Sequence, residues 1–370
     1  MNDKIKRIGA IITSVVFLTA IVGLSVANIL YIPPEISKSE RRYLATFPEF
    51  TFETIINKKF MQGFEKYAPD SFVARDAFRA AKAFSQYNLL FLKDSNGIYT
   101  AEGHAAKLIK ENDDSVSLLA KNVQKLIEKM PSVNAYFSLI PDKGYYLAEK
   151  NGYIPMNYAL MEKILKDGIK DARFIDLFPV LGIDDFYNTD LHWRQERLEG
   201  VVALLSESIG FSTDFDYEKT DFHGFYGAYL GQSALTLKSE TLSILRSSST
   251  ESAKVKLLNP KTMKLEEATM YDLEAYTGID PYDIYLHGAQ AVITIENPNA
   301  DTDKSLTIFR DSFSSSLTPL ITCAYSSITL IDLRYINAGL AMSMFPPERG
   351  SDVLFIYGVE IINNAGTMLF

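Results

Sequence analysis

The sequence predicts an α/β domain with a doubly wound parallel sheet, preceded by one transmembrane helix, and three observations carry that prediction. Between residues 115 and 209, segments with helix-period apolar spacing alternate with short apolar runs. Residues 306–309, 328–333 and 353–356 are nearly all apolar, as strands buried on both faces of a parallel sheet are. Residues 8–32 contain no charged side chain at all.

Residues 1–7 carry Lys4, Lys6 and Arg7 and read as a short cytoplasmic N-terminus. The apolar stretch that follows ends at Pro33-Pro34. At about 1.5 Å rise per residue it spans about 37 Å, enough to cross a hydrocarbon core of about 30 Å with some tilt. The basic cluster ahead of it favours a cytoplasmic N-terminus, with the rest of the chain outside. A cleaved signal peptide shares the basic start and the apolar centre, but its core is usually about 7 to 15 residues long. This stretch is longer and no small-x-small cleavage site follows it, so an uncleaved signal anchor in the cell membrane is the expectation.

Residues 33–52 are polar with scattered apolar positions and a Phe47-Pro48 break, which reads as an extended tether. The remainder, 53–370, is expected to be one large α/β domain. It opens with two helices over 60–91, marked by Phe60, Phe64 and Tyr67 and then by Phe78, Phe84 and Tyr87, with an interruption near Pro69. Residues 115–130 form a helix closed by Pro131, and 134–140 a strand that stops at Pro141-Asp142. The alternation continues with a helix over 158–168, a strand over 173–178 and a helix over 194–209. From 212 to 290 the pattern is less regular, with Gly224, Gly227 and Gly231 among aromatics, and an insertion forming a rim is expected there.

With 22% charged and 47% hydrophobic residues, the composition is that of a chain with a packed core. The net charge of -9 argues against nucleic acid and against a polybasic membrane patch, since both partners are polyanions. Cys323 is the only cysteine, which excludes an intrachain disulfide and a thiolate metal cluster.

The chemistry concentrates in two short motifs. Residues 306–309 run into Arg310-Asp311-Ser312-Phe313 and then Ser314-Ser315-Ser316, a pattern that reads as strand, tight turn and helix start. A serine there sits at the carboxyl end of a sheet strand, where open α/β sheets bind ligands, beside helix-start N–H groups able to stabilise an oxyanion. The competing explanation is that Asp311, Ser312 or one of Ser314 to Ser316 merely caps the helix. The second motif is Asp190-Leu191-His192-Trp193. Residues two apart share a side of an extended segment but not of a helix, so an Asp190–His192 pair requires this segment to be non-helical. Asp190 could then accept from His192 Nδ1–H and leave Nε2 for the Ser312 proton; a loop Asp capping the next helix is the plainer alternative. Trp193 reads as packing, with sugar stacking as the second option. Arg334, in Asp332-Leu333-Arg334-Tyr335, could orient a substrate carboxylate or form a structural salt bridge. His104, His223 and His287 show no metal-ligand spacing, and neither a metal nor a cofactor is expected.

Tyr187-x-Thr189-Asp190-Leu191-His192-Trp193 resembles the signature of the DHHW family of bacterial extracytoplasmic proteins. Ser39-Glu40-x-Arg42, Phe64-Glu65-Lys66-Tyr67, Asp70-x-Phe72-x-x-Arg75-Asp76, Gly227-x-Tyr229-x-Gly231-Gln232-Ser233, Asp311-Ser312-Phe313 and Asp332-Leu333-Arg334-Tyr335 resemble that family in order and spacing over nearly the whole chain. The family is similar to the alginate O-acetyltransferases, which have an SGNH-hydrolase-like domain and a Ser-His-Asp triad. The resemblance implies an SGNH-hydrolase-like fold in permuted motif order, with Asp190 and His192 ahead of Ser312, and triad roles for all three. It also implies an O-acetyltransferase or acetyl esterase acting on a cell-surface or secreted polysaccharide, with a membrane-bound O-acyltransferase supplying acetyl groups. Two positions depart from the pattern: Leu191 stands where the signature has His, and Arg310 where a Gly-Asp-Ser motif has Gly. The Arg310 departure motivates an alternative, a catalytically silent glycan-binding or assembly protein with the same fold.

Overall fold

The apolar runs read from the sequence are strands of one eight-stranded sheet. In chain order they are β1 (Asn134–Ile140), β2 (Arg173–Asp176), β3 (Lys254–Leu258), β4 (Leu265–Ala268), β5 (Val292–Glu296), β6 (Ser305–Arg310), β7 (Ser327–Ile331) and β8 (Asp352–Gly358). The spatial order is β4-β3-β5-β7-β6-β8-β1-β2. From β7 through β2 the neighbours are parallel, whereas β5 runs antiparallel to β7 and β3, and β3 antiparallel to β4. In this computed structural model, which describes residues 3–213, 215–235 and 237–370, the chain divides into two units between Ser95 and Asn96.

Both faces of the sheet are covered, which is why its strands read as continuous apolar runs rather than as alternations. Along β6, Leu306 and Ile308 pack with Val201, Val202 and Leu205 of the Glu199–Ile209 helix and with Leu317 of the Phe313–Ile321 helix. Phe309 faces the other way, stacked on Phe355 at 4.6 Å. It shares that core with Val116, Leu119 and Val123 of the Asp113–Glu128 helix and Leu165 of the Tyr158–Gly168 helix. The parallel strands therefore end together, and the carboxyl ends of β1, β6 and β8 present Asp142-Lys143, Asp311-Ser312 and Gly358 at one edge.

The irregular stretch from 212 to 290 contributes more than a rim. It supplies β3 and β4, which lengthen the sheet, and an antiparallel hairpin of Glu218–Phe225 with Glu240–Arg246. The short Ala228–Ser233 helix lies between the two hairpin strands in sequence. Earlier in the same unit, Ile98–Ala101 pairs with His104–Lys107.

The N-terminal unit begins with the Asp3–Leu30 helix, whose Lys4–Leu30 span is long and apolar enough to cross a membrane. A short hairpin (Ile36–Ser37 with Arg42–Tyr43), the helices Phe52–Ile56, Lys59–Asp70 and Arg75–Phe84, and a π-helical turn over Ser85–Leu89 follow it. Long-range polar pairing joins the stretch before residue 52 to the helices after it. Arg42 donates twice to the Asp70 carboxylate, at 2.7 and 2.6 Å, and the Ala45 N–H donates to the same group at 2.9 Å. Glu40 pairs with Arg75 and Arg79. These contacts fold the stretch read as a tether onto the helices that follow it.

Candidate active site

The strand-to-helix turn after β6 decides which residue caps the helix. Asp311, not Ser312, does it: its Oδ1 accepts the Phe313 N–H at 3.0 Å and its Oδ2 accepts the Gly358 N–H at 2.7 Å. The buried carboxylate thus ties the helix start to the end of β8. Burial raises its pKa, opposed by the charge of Arg334 and by the two amides. Ser312 makes no side-chain capping bond, which leaves its hydroxyl available for another partner. A Cβ on Gly358 would approach Phe313 Cε2 to 2.9 Å and Asp311 Oδ2 to 3.3 Å, so this edge closes tightly only around glycine.

The partner is His192, whose Nε2 lies 2.8 Å from Ser312 Oγ. Its Nδ1 lies 2.6 Å from Asp190 Oδ1. An ionised carboxylate only accepts, so Nδ1 carries the proton and the Nε2 lone pair faces the serine hydroxyl. Asp190 is fully buried and also accepts the His192 N–H at 3.1 Å and the Ala228 N–H at 2.7 Å. The structure therefore brings Asp190, His192 and Ser312 into one hydrogen-bonded chain. The segment that carries the first two is a non-helical loop closed by the Phe186–Trp193 bridge and by the Tyr187 N–H donating to the His192 carbonyl.

Other elements clamp this loop. Glu240 accepts from the Asn188 N–H (2.6 Å), the Thr189 N–H (2.7 Å) and the Thr189 hydroxyl (2.5 Å). The Gly227 N–H donates to Thr189 Oγ1 at 2.8 Å and the Tyr229 N–H to the Thr189 carbonyl at 3.1 Å. Lys143, buried just beyond β1, donates to the Tyr187 and Asn188 carbonyls at 2.9 and 3.1 Å. Burial pushes this ammonium down to about 7, against the opposing pull of Asp190 and Glu240. The Ala105 N–H donates to the Asn188 carbonyl from the 98–107 hairpin. In that hairpin His104 is buried with no partner for Nδ1 among the described residues. Burial drives its pKa down to about 4, helped by the charge of Lys143.

The structure places two further candidate residues. Trp193 is fully buried, and its indole N–H donates to the Phe313 carbonyl and to Ser316 Oγ, both at 3.0 Å. A ring so enclosed packs the helix start and has no face to offer a sugar. Arg334 is partly exposed, but its Nε and Nη2 donate to Asp332 at 2.9 and 2.6 Å. That is the structural ion pair, and its charge also acts on the Asp311 carboxylate beside Ser312. Arg310 leaves the turn intact. Its buried guanidinium donates to Ser315 Oγ and to the Gly288 carbonyl, neither of them a triad residue. Leu191 packs with Ile98, Ala105 and Tyr229, outside the triad.

One residue at the site lies where sequence reading saw only irregular rim. Tyr282 is buried and lies flat on the His192 ring, with centroids 3.7 Å apart and planes 6° from parallel. Phe313 meets the same imidazole edge-to-face at 5.1 Å. The 212–290 segment has no periodicity that singles out position 282; the nearest cue is Asp280-Pro281 ahead of it, a turn signal. Among the described residues no three His, Cys, Asp or Glu side chains converge as a metal site.

No family model matches the sequence, and no curated protein matches it. Solved structures do. A DHHW family protein from Eubacterium siraeum superposes with a TM-score of 0.60 and 17% identity, covering 74% of this chain and 95% of that one. Bacillus cereus PatB1 with a sulfonyl adduct gives 0.55 and 17%, covering 72% of this chain and 95% of that one. The O-acetyltransferase domain of Pseudomonas putida AlgJ superposes more loosely, at 0.41 and 12%, covering 72% and 92%. The chain thus has the SGNH-like α/β fold of the DHHW family protein and of PatB1, and at these identities the likeness is one of fold.

Proposed function

We propose that this protein is an O-acetyltransferase or acetyl esterase that acts on a cell-surface or secreted polysaccharide through an acyl-Ser312 intermediate. The observation that carries the reading is the continuous chain from Asp190 through His192 to Ser312, with both links at hydrogen-bond length. Ser312 Oγ attacks the carbonyl carbon of an acyl donor while its proton passes to His192 Nε2. The carbonyl electron pair moves onto oxygen as the tetrahedral centre forms. As the tetrahedral centre collapses, the leaving alkoxide takes the proton back from His192. A sugar hydroxyl, or water, then gives its proton to His192 and attacks the acyl-serine; as that centre collapses, His192 returns the proton to the leaving Ser312 Oγ and the acetylated glycan or acetate is released. Asp190 holds the Nδ1–H tautomer and stabilises the imidazolium in both halves.

In this reading the Asp3–Leu30 helix anchors the chain in the cell membrane with the α/β unit outside, uncleaved, and a membrane-bound O-acyltransferase supplies acetyl groups. Lys4, Lys6 and Arg7 at the N-terminal end of that helix support the orientation. The test is labelling of the full-length protein with a fluorophosphonate, together with aryl acetate turnover. A sulfonyl halide is a second reagent, since PatB1 has been obtained as a sulfonyl adduct. Labelling and turnover that vanish in Ser312→Ala support the reading. A folded wild-type protein that neither labels nor turns over overturns it and leaves the silent glycan-binding alternative.

A further inference from the structure

We infer that Tyr282 is a positioning residue for His192, whose ring face fixes the imidazole plane and stabilises the imidazolium formed when Ser312 gives up its proton. This rests on the acyl-serine reading above and adds to it a residue that no triad supplies. The argument starts from the stacking geometry. Two neutral aromatic rings prefer offset or edge-to-face arrangements to a close parallel stack. A cation over the face of a tyrosine, within about 6 Å of its centroid, is attracted to the negative π-surface. At 3.7 Å and 6° from parallel, the pair is in the arrangement that gains as the imidazole becomes charged. An interaction stronger in the transition state than in the ground state is one that accelerates the reaction.

Tyr282 is itself held at both ends. Its N–H donates to the Asp280 carboxylate at 3.0 Å, within the Pro281–Ile284 turn. Its hydroxyl lies 2.8 Å from Ser316 Oγ, the oxygen that also accepts the Trp193 indole N–H. The other charged and titratable groups around the imidazole are Asp190 on its own loop, Asp311 and Ser312 at the strand-to-helix turn, Tyr187, and Lys143 and Glu240 behind the Tyr187–Thr189 backbone. All of them remain when Tyr282 is replaced, so a change in pH behaviour reports on the stacked ring.

The experiment compares full-length wild type, Tyr282→Phe, Tyr282→Leu and a protein with pentafluorophenylalanine at 282, which keeps the shape of Phe but reverses its quadrupole. The readouts are kcat/KM for an aryl acetate against pH, and fluorophosphonate labelling rate against pH. Tyr282→Phe keeps the stack and should hold the position of the acid limb. Tyr282→Leu and the fluorinated ring should each lose roughly threefold to thirtyfold in kcat/KM, the range expected of a cation–π contact. Because removing the π-face disfavours imidazolium, their acid limb should move to lower pH, by up to about one unit. If Tyr282→Leu fails to fold, the fluorinated protein carries the test against Tyr282→Phe. Active variants whose limbs coincide, or a fluorinated protein that matches Tyr282→Phe, overturn this inference and leave the acyl-serine reading standing. A folded but inert wild type overturns both.

Discussion

Gly227→Ala offers the sharpest test of how the catalytic loop is held. A Cβ at this position would lie 2.1 Å from the Thr189 carbonyl carbon, 2.2 Å from its oxygen and 2.3 Å from the Asp190 nitrogen. All three are backbone atoms, so no side chain can swing aside. To relieve the clash, the two segments must separate by about 1.3 Å, taking the 2.1 Å approach to the 3.4 Å where ordinary contact begins. The same separation stretches the Gly227 N–H bond to Thr189 Oγ1 and the Ala228 N–H bond to Asp190 Oδ2. Overpacking of this kind costs about 1 to 3 kcal/mol in stability, a fall of a few degrees in Tm. The effect on rate should be larger than that on stability, because a displacement of about 1 Å in a positioning group can cost about a hundredfold. The expected result is therefore a folded protein with a slightly lower Tm and a loss in aryl acetate kcat/KM of about two orders of magnitude. Gly366→Ala, where nothing lies within 4 Å of the new carbon, is the control and should behave as wild type. A Gly227→Ala protein with wild-type kcat/KM would refute the claim that close approach of these two backbones sets the position of Asp190.

Asp190→Asn should leave the fold intact while lowering kcat by about three to four orders of magnitude, because the amide can donate to Nδ1 and favour the wrong tautomer; activity within tenfold of wild type would contradict the triad geometry. His104 bears on stability rather than rate. Its pKa is about 4 in the folded protein against 6.5 when unperturbed, so between those values the unfolded chain binds the additional proton, and stability falls as pH drops from about 6.5 towards 4. Urea midpoints measured across that window should show the loss, His104→Asn should flatten it, and an unchanged slope would show that His104 is not its source.

The parts of the site that could be read from the sequence are those governed by local rules. Asp190 and His192 are two apart, so an extended or irregular backbone was required to pair them, and the loop is irregular. Ser312 follows an apolar run, so its place at the end of a sheet strand could be inferred from burial. The supports of the site are non-local. Glu240, Lys143 and Gly227 act on the Tyr187–Asp190 backbone from other hairpins and strand ends, and no spacing in the sequence records those encounters. The same holds for Arg42 and Asp70, whose pairing turns an apparent tether into part of a folded unit. The strands β3 and β4 were legible in principle, since Val255 lies between Lys254 and Lys256 with the Asn259-Pro260 turn following. Strands this short, five residues and four, are hard to separate from loop by periodicity alone.

At the turn around Asp311 the chain satisfies both a capping demand and a catalytic one. A helix start leaves N–H groups without intrahelical partners, and a serine at the cap position would ordinarily use its hydroxyl on one of them. That bond would compete with His192 for the same oxygen. Asp311 meets the demand from one residue earlier, accepting the Phe313 N–H and, with its second oxygen, the Gly358 N–H. The burden of burial falls on this carboxylate, whose pKa rises as a result, while Ser312 Oγ faces Nε2 of His192. The aspartate of the Asp-Ser pair is thus tied to nucleophile availability through the backbone, without touching the reacting atoms. Asparagine at 311 could accept with only one oxygen where the carboxylate uses two, so the β8 connection would loosen while the helix cap survived.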